Sequence, residues 1–167
     1  DCSGAIAALQ ACTSLKDKNI LILGAGGTAK AIGYGVKEKG GKLTITYNRN
    51  KEKGENLAKE LGCELIHCRD AGTQSIDILI NCSPVGMNPN INESPFLARD
   101  FKEGMVVFDS VYNPLETKLL REAKAAGCKI IPGSELFINQ AARQFELFTG
   151  QPAPIDAMRE VLMEKLN

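Results

Sequence analysis

The residues with the plainest chemical purpose are Gly24-Ala25-Gly26-Gly27-Thr28-Ala29. They fit the spacing G-x-G-x-x-G/A and stand between an apolar run, Asn19-Ile20-Leu21-Ile22-Leu23, and an amphipathic segment from about Gly27 to Lys39. Strand, tight turn and helix in that order suit the holding of a pyrophosphate. Gly24 permits the turn, Gly26 lets the backbone approach an anion, and Ala29 lets the helix lie close to the strand. Gly27 and Thr28 then open the helix, where free N–H groups and the positive end of the helix dipole face the anion.

A second constellation follows the next strand, in Tyr47-Asn48-Arg49-Asn50-Lys51-Glu52-Lys53. In a dinucleotide fold an acid at this place takes the ribose 2′-hydroxyl, whereas a cation takes a 2′-phosphate. No acid occurs here before Glu52. Arg49 can pair bidentately with phosphate, and Lys51 or Lys53 can add charge. Cations at a helix start are unfavourable unless an anion joins them. The expected cofactor is therefore NADP(H).

These motifs need elements to position them. Lys42 to Tyr47 alternates, with Leu43, Ile45 and Tyr47 against Lys42, Thr44 and Thr46. Helical periodicity predicts helices over Lys51–Leu61, Leu115–Ala126, Ser134–Phe148 and Ile155–Leu166, with a first helix over about 2–15. Further strands are expected at Glu64–Ile66, Asp77–Ile80, Met105–Phe108 and Lys129–Ile131, and a loop over Asn88–Asp100. Such alternation predicts an α/β domain, a Rossmann-like doubly wound parallel sheet in three layers, occupying the whole of residues 1–167. Ligands on such sheets bind at the carboxyl ends of the strands.

Composition narrows the partners. The 167 residues are 44% hydrophobic and 24% charged, with 20 Lys plus Arg against 20 Asp plus Glu. A zero net charge argues against a nucleic-acid binder, which carries a basic excess. No apolar run reaches the roughly 18 residues that span a bilayer. The start, DCSGAIAALQ, lacks a basic region before its apolar residues and reads as a cut or processed edge. The six cysteines form no CxxC pair, and Cys63, His67 and Cys68 lack a fourth ligand, so reduced thiols of a cytoplasmic protein are expected and no metal.

Along nearly its whole length the chain resembles the shikimate dehydrogenases. Asp1-x-x-Gly4-x-x-x-Ala8-Leu9 is similar to the family's Asn-Thr-Asp-x-x-Gly element without its Asn-Thr. Gly24 to Ile32 resembles its dinucleotide turn, and Asn48-Arg49-Asn50-x-x-Lys53 its 2′-phosphate turn. Asn81-Cys82-Ser83-Pro84-Val85-Gly86-Met87 is similar to a stretch usually read Asn-Ala-Thr-Ser-x-Gly-Met. Asp109-Ser110-Val111-Tyr112-Asn113-Pro114 with Thr117, and Gly133-x-x-Leu136-x-x-x-Gln140 with Phe145 and Phe148-Thr149-Gly150, fit two more of its signatures.

The resemblance implies reversible NADPH-dependent reduction of 3-dehydroshikimate to shikimate. It implies Asp1 as a catalytic and substrate-binding residue, with Tyr112 and Gln140 reaching the substrate. Ser83, Ser110 and Gly133 would border the nicotinamide and its ribose, and Gly24, Ala25, Gly26, Gly27, Thr28, Asn48, Arg49, Asn50 and Lys53 the rest of the cofactor. The family's N-terminal substrate domain, with its catalytic Lys, has no counterpart in this sequence. The chain alone is thus expected to bind NADP(H) with little or no turnover. Quinate/shikimate dehydrogenases share these motifs, and a non-catalytic NADP-sensing module is the rival of another class.

Simpler readings of some residues stand beside these. Asp1 suits a helix N-cap, and Tyr112 a strand-end aromatic before a turn. Gln140, inside an apolar helix, needs a partner if buried. His67 lies away from every motif and reads as a surface residue. Phe137, Phe145 and Phe148 read as core residues at helical spacing.

Overall fold

Strands buried on both faces must be apolar throughout, and their side chains divide between two cores. The computed structural model, which describes residues 2–166, shows this division residue by residue. Its strands are β1 (Asn19–Leu23), β2 (Lys42–Tyr47), β3 (Glu64–His67), β4 (Ile78–Asn81), β5 (Val106–Asp109) and β6 (Lys129–Ile131). All neighbours pair in parallel, in the order β3-β2-β1-β4-β5-β6. Ile20, Ile22, Ile78, Ile80, Val106 and Phe108 enter one apolar cluster, whereas Leu21, Leu23, Leu79 and Val107 enter the other.

The helices are α1 (Cys2–Cys12), α2 (Gly27–Glu38), α3 (Lys51–Leu61), α4 (Lys118–Ala125), α5 (Gly133–Thr149) and α6 (Ile155–Leu166). α1, α2, α3 and α5 cover the first cluster through residues such as Leu9, Ile32, Leu61 and Leu136. Leu119, Leu120 and Ala123 of α4, with Phe96 and Phe101 from the loop before β5, cover the second. The result is the expected three-layer α/β architecture. Chain direction along the sheet reverses between β1 and β4, so the crevice for a ligand opens at the carboxyl ends of those strands.

Several element boundaries move, each for a local reason. α4 begins at Lys118 rather than Leu115, because the Thr117 side chain caps it by accepting from the Leu120 N–H at 3.3 Å. α1 stops at Cys12. β4 and β5 each run one residue further than their apolar runs, so that Asn81 and Asp109 end them fully buried. α3 ends on Gly62 in a left-handed conformation (φ +58°), as expected for a helix closed by glycine.

The aromatic side chains of α5 are not core. Its buried face is Gly133, Ser134, Leu136, Ile138 and Ala142. Phe137 and Phe148 fall on another face, 38% and 88% exposed, and Phe145 is only half-buried. Eleven residues are three helical turns, so Phe137 and Phe148 share one stripe. No helix among the described residues is long and apolar enough to cross a membrane. Asp1, assigned above to substrate and to capping, lies outside the described residues.

Candidate functional site

The glycine turn leaves the buried end of β1 with Gly24 at φ +111°. A side chain there would be strained, and its first carbon would lie 3.3 Å from the Cys82 carbonyl oxygen. The Gly24 N–H donates to Thr46 Oγ1 at 3.0 Å, so β2 clamps the turn from beside it. Thr46 is buried, unlike Lys42 and Thr44 on its side of the strand. Ala29 is fully buried against the strand. A carbon added at Gly26 or Gly27 meets nothing within 4 Å, so this part of the backbone faces open space.

Gly26 is the N-cap of α2, and no side chain caps it. The first acceptor inside the helix, the Gly26 carbonyl oxygen, takes the Lys30 N–H at 3.0 Å. The N–H groups of Gly27, Thr28 and Ala29 therefore have no partner within the helix, and the first turn carries no acid. This is the donor set an anion needs.

At the end of β2, Asn48, Arg49 and Asn50 are exposed. Asn50 caps α3, its Oδ1 accepting from the Lys53 N–H at 2.8 Å. That leaves the amide nitrogen of Asn50, not its oxygen, for a ligand. Lys51 pairs with Glu55 at 3.1 Å and Lys30 with Glu60 at 2.6 Å. Among the described residues, Arg49 and Lys53 have no carboxylate within ion-pair distance.

The ends of β4 and β5 form a buried polar bridge. Asn81 Nδ2 donates to Asp109 Oδ1 at 2.9 Å, and Thr117 Oγ1 donates to Asp109 Oδ2 at 2.6 Å. The Val111 N–H donates to Asp109 Oδ1 at 3.0 Å. From the other strand, the Ser83 hydroxyl and N–H both donate to Asn81 Oδ1, at 2.7 and 3.0 Å. The Ser83 proton is thus turned inward. Burial raises the Asp109 pKa above the usual carboxylate value, and its three hydrogen bonds oppose that rise. Burial, with the Asp109 charge nearby, pushes the Cys82 thiol up.

This bridge sets the start of the segment after β5, where a cavity of about 190 Å³ is lined by Thr28, Ser110, Tyr112, Gly133, Leu136, Phe137 and Gln140. Five of these seven, all but Leu136 and Phe137, are expected at the site from the sequence. Tyr112 stacks on Phe137, ring centroids 4.6 Å apart and planes at 29°. Gly133 is needed for the approach of α5: an added carbon would run into the Val111 carbonyl oxygen and lie 2.8 Å from that of Asp109.

Three features carry no functional reading in the sequence. Asn81, Asp109 and Thr117 belong to recognised motifs without a stated role, and here they form the bridge. Thr46 gives no signal. His67, remote from every motif along the chain, is paired in register with Tyr47, and the two rings meet edge to face at 5.0 Å. It therefore lies beside the turn that carries Arg49.

A parallel sheet with an uncapped helix start beyond its first strand, and cations beyond its second, defines a Rossmann-type dinucleotide-binding protein. Residues 6–109 match the family model described as shikimate/quinate 5-dehydrogenase, and residues 133–163 match the shikimate 5′-dehydrogenase C-terminal domain. The chain belongs to the shikimate/quinate 5-dehydrogenase family.

The NADP(+) shikimate dehydrogenase of Methanococcoides burtonii is 42% identical over 156 residues, covering 92% of this chain and 57% of that protein. A shikimate dehydrogenase crystallised with NADP+ superposes with a TM-score of 0.88 at 34% identity, covering 99% of this chain and 61% of the other. The Thermus thermophilus shikimate 5-dehydrogenase, solved with NADP(H) and shikimate, gives 0.84 at 33% identity over 98% and 61%. The chain thus spans about three fifths of the length of these relatives.

Proposed function

We propose that this chain is the NADP(H)-binding domain of a shikimate dehydrogenase, an enzyme that interconverts 3-dehydroshikimate and shikimate in the cytoplasm. The observation that carries the reading is the cavity that joins Thr28 at the α2 start to Ser110, Tyr112, Gly133 and Gln140. The nearness of Thr28, at the glycine turn, to residues the family resemblance assigns to substrate supports a transfer between two bound molecules.

NADP(H), when bound, supplies or accepts the hydride. The chain's residues bind and orient. The open face of Gly26 and the uncapped N–H groups of Gly27 and Thr28 suit the pyrophosphate, with Gly24 and Ala25 shaping the turn. Asn48, Arg49, Asn50 and Lys53 offer donors and charge to the 2′-phosphate. Ser83, Ser110 and Gly133 border the nicotinamide end. Tyr112 and Gln140 offer a hydroxyl and an amide to the substrate, and the family resemblance assigns Asp1, outside the described residues, as a catalytic carboxylate that hydrogen-bonds the substrate hydroxyls.

The remaining substrate contacts, and the Lys that the family resemblance assigns to proton transfer, would lie in a domain outside this sequence. Without that group the reaction would slow by roughly 10²–10⁴-fold. Calorimetric titration with NADPH and NADH, followed by assays on shikimate and quinate, tests the reading. NADPH binding with little turnover supports it. Failure to bind either cofactor overturns it, and a preference for NADH overturns its cofactor.

A further inference from the structure

The carboxyl end of β3 carries a pair of side chains, His67 and Arg69, that the reading above gives no role. His67, the last residue of β3, accepts two hydrogen bonds at Nδ1, from the Arg69 N–H and from Arg69 Nε, both at 3.1 Å. That double acceptance assigns the ring proton to Nε2. It also folds the Arg69 side chain back over the strand end. With Nε spent, the two terminal nitrogens of the guanidinium remain, the pair that grips a phosphate end-on. Among the described residues no acceptor engages them, and Arg69 has no carboxylate within ion-pair distance, neighbouring Asp70 included.

The place of this pair matters more than its exposure. Tyr47 and His67 are register partners on adjacent parallel strands, which lie roughly 4.8 Å apart. Arg49 and Arg69 each follow their partner by two residues. Two arginines therefore leave neighbouring strand ends at the same level of the sheet. The Tyr47 and His67 rings are in edge-to-face contact just before the two arginines. Other cations near this edge are already paired, Lys51 with Glu55 and Lys30 with Glu60. Arg49, Lys53 and Arg69 remain without a carboxylate within ion-pair distance among the described residues, with Glu52 and Asp70 the only acids next to them in sequence.

We propose that Arg69, held in place by His67, is a second arginine for the adenosine 2′-phosphate, closing that site from the β3 side opposite Arg49. The inference rests on the reading of the chain as an NADP(H)-binding domain. Arg69 contacts the ligand, whereas His67 is a positioning residue that orients the guanidinium. Cofactor choice is then set by two strand ends instead of one.

The test is titration of the wild-type chain and the variants Arg69→Gln, His67→Ala and Arg49→Ala with NADPH and with NADH. Arg69→Gln should weaken NADPH about five- to twenty-fold, the scale of one charge-assisted pair, and leave NADH unchanged. His67→Ala should give a smaller loss, again confined to NADPH, with an unchanged far-UV spectrum. Arg69→Lys, which keeps charge without the fork, should recover part of the affinity. If Arg49→Ala abolishes the NADPH preference while Arg69→Gln leaves it intact, the inference falls and the cofactor reading stands. Equal losses for both cofactors in Arg69→Gln also overturn it, since Arg69 would then act elsewhere than at the 2′-phosphate. A wild-type chain with no NADPH preference overturns the cofactor reading and the inference together.

Discussion

The hydroxyl of Thr117 joins two elements that the chain separates by a loop: it donates to Asp109 Oδ2 at 2.6 Å and accepts from the Leu120 N–H at 3.3 Å. One buried oxygen thus caps α4 and satisfies the carboxylate that ends β5. Thr117→Val keeps the shape and removes both bonds. It should destabilise the chain by about 2–4 kcal/mol, the sum of a lost cap and a buried group left without its partner. Urea unfolding measures this, and a loss under about 0.5 kcal/mol, by the same principles, would show the bridge to be dispensable.

Asp109 makes stability depend on pH in an unusual direction. Its folded pKa is raised by burial above the ordinary 3.8. Its contribution is therefore complete below that value and declines as pH rises through the folded pKa. Asp109→Asn does not titrate there. The melting temperature of wild type relative to Asp109→Asn should fall as pH rises above the ordinary carboxylate value of 3.8 and level off once Asp109 is ionised in the folded chain. A gap that grows in the wild type's favour with rising pH would mean that the three hydrogen bonds outweigh desolvation.

Arg49 is exposed and unpaired among the described residues, so its removal should leave folding unchanged and act only on the ligand. Arg49→Ala is expected to weaken NADPH binding about ten- to a hundredfold while barely altering NADH. Titration of both cofactors decides this, and equal losses would place the 2′-phosphate elsewhere.

Gly26 and Gly133 should fail in opposite ways. A side chain at Gly26 meets open space, so Gly26→Val should melt within a few degrees of wild type and yet bind no NADPH. A carbon at Gly133 collides with the backbone carbonyls of Val111 and Asp109, so Gly133→Ala should cost about 1–3 kcal/mol through the forced shift of α5. Melting and titration of both variants would exchange these outcomes if the roles were misassigned.

The sheet, its helices and the glycine turn are legible in the sequence because apolar runs and helical periods state them directly. The bridge is less so. Asn81 and Asp109 are polar, and a reading that follows apolar runs ends both strands one residue early, just short of the residues that join them. Alternation groups Thr46 with exposed Lys42 and half-buried Thr44, so it gives no sign that Thr46 alone on that side is buried to take the Gly24 N–H. His67 reads as remote because strand order is absent from the sequence; only the β2–β3 pairing brings it to Tyr47. The phenylalanines of α5 share a helical period, but the period does not say which side of the helix meets the core.

The open space around Gly26 also bears on how this chain responds to selection. A library scored for folding or expression would accept small residues there, since the first side-chain carbon meets nothing within 4 Å, while Gly133 would hold firm. Only a screen that reports on the nucleotide would register the loss. Variants optimised for thermostability alone could therefore drift into stable, silent proteins, with no sign in their melting curves that the turn had been spoiled.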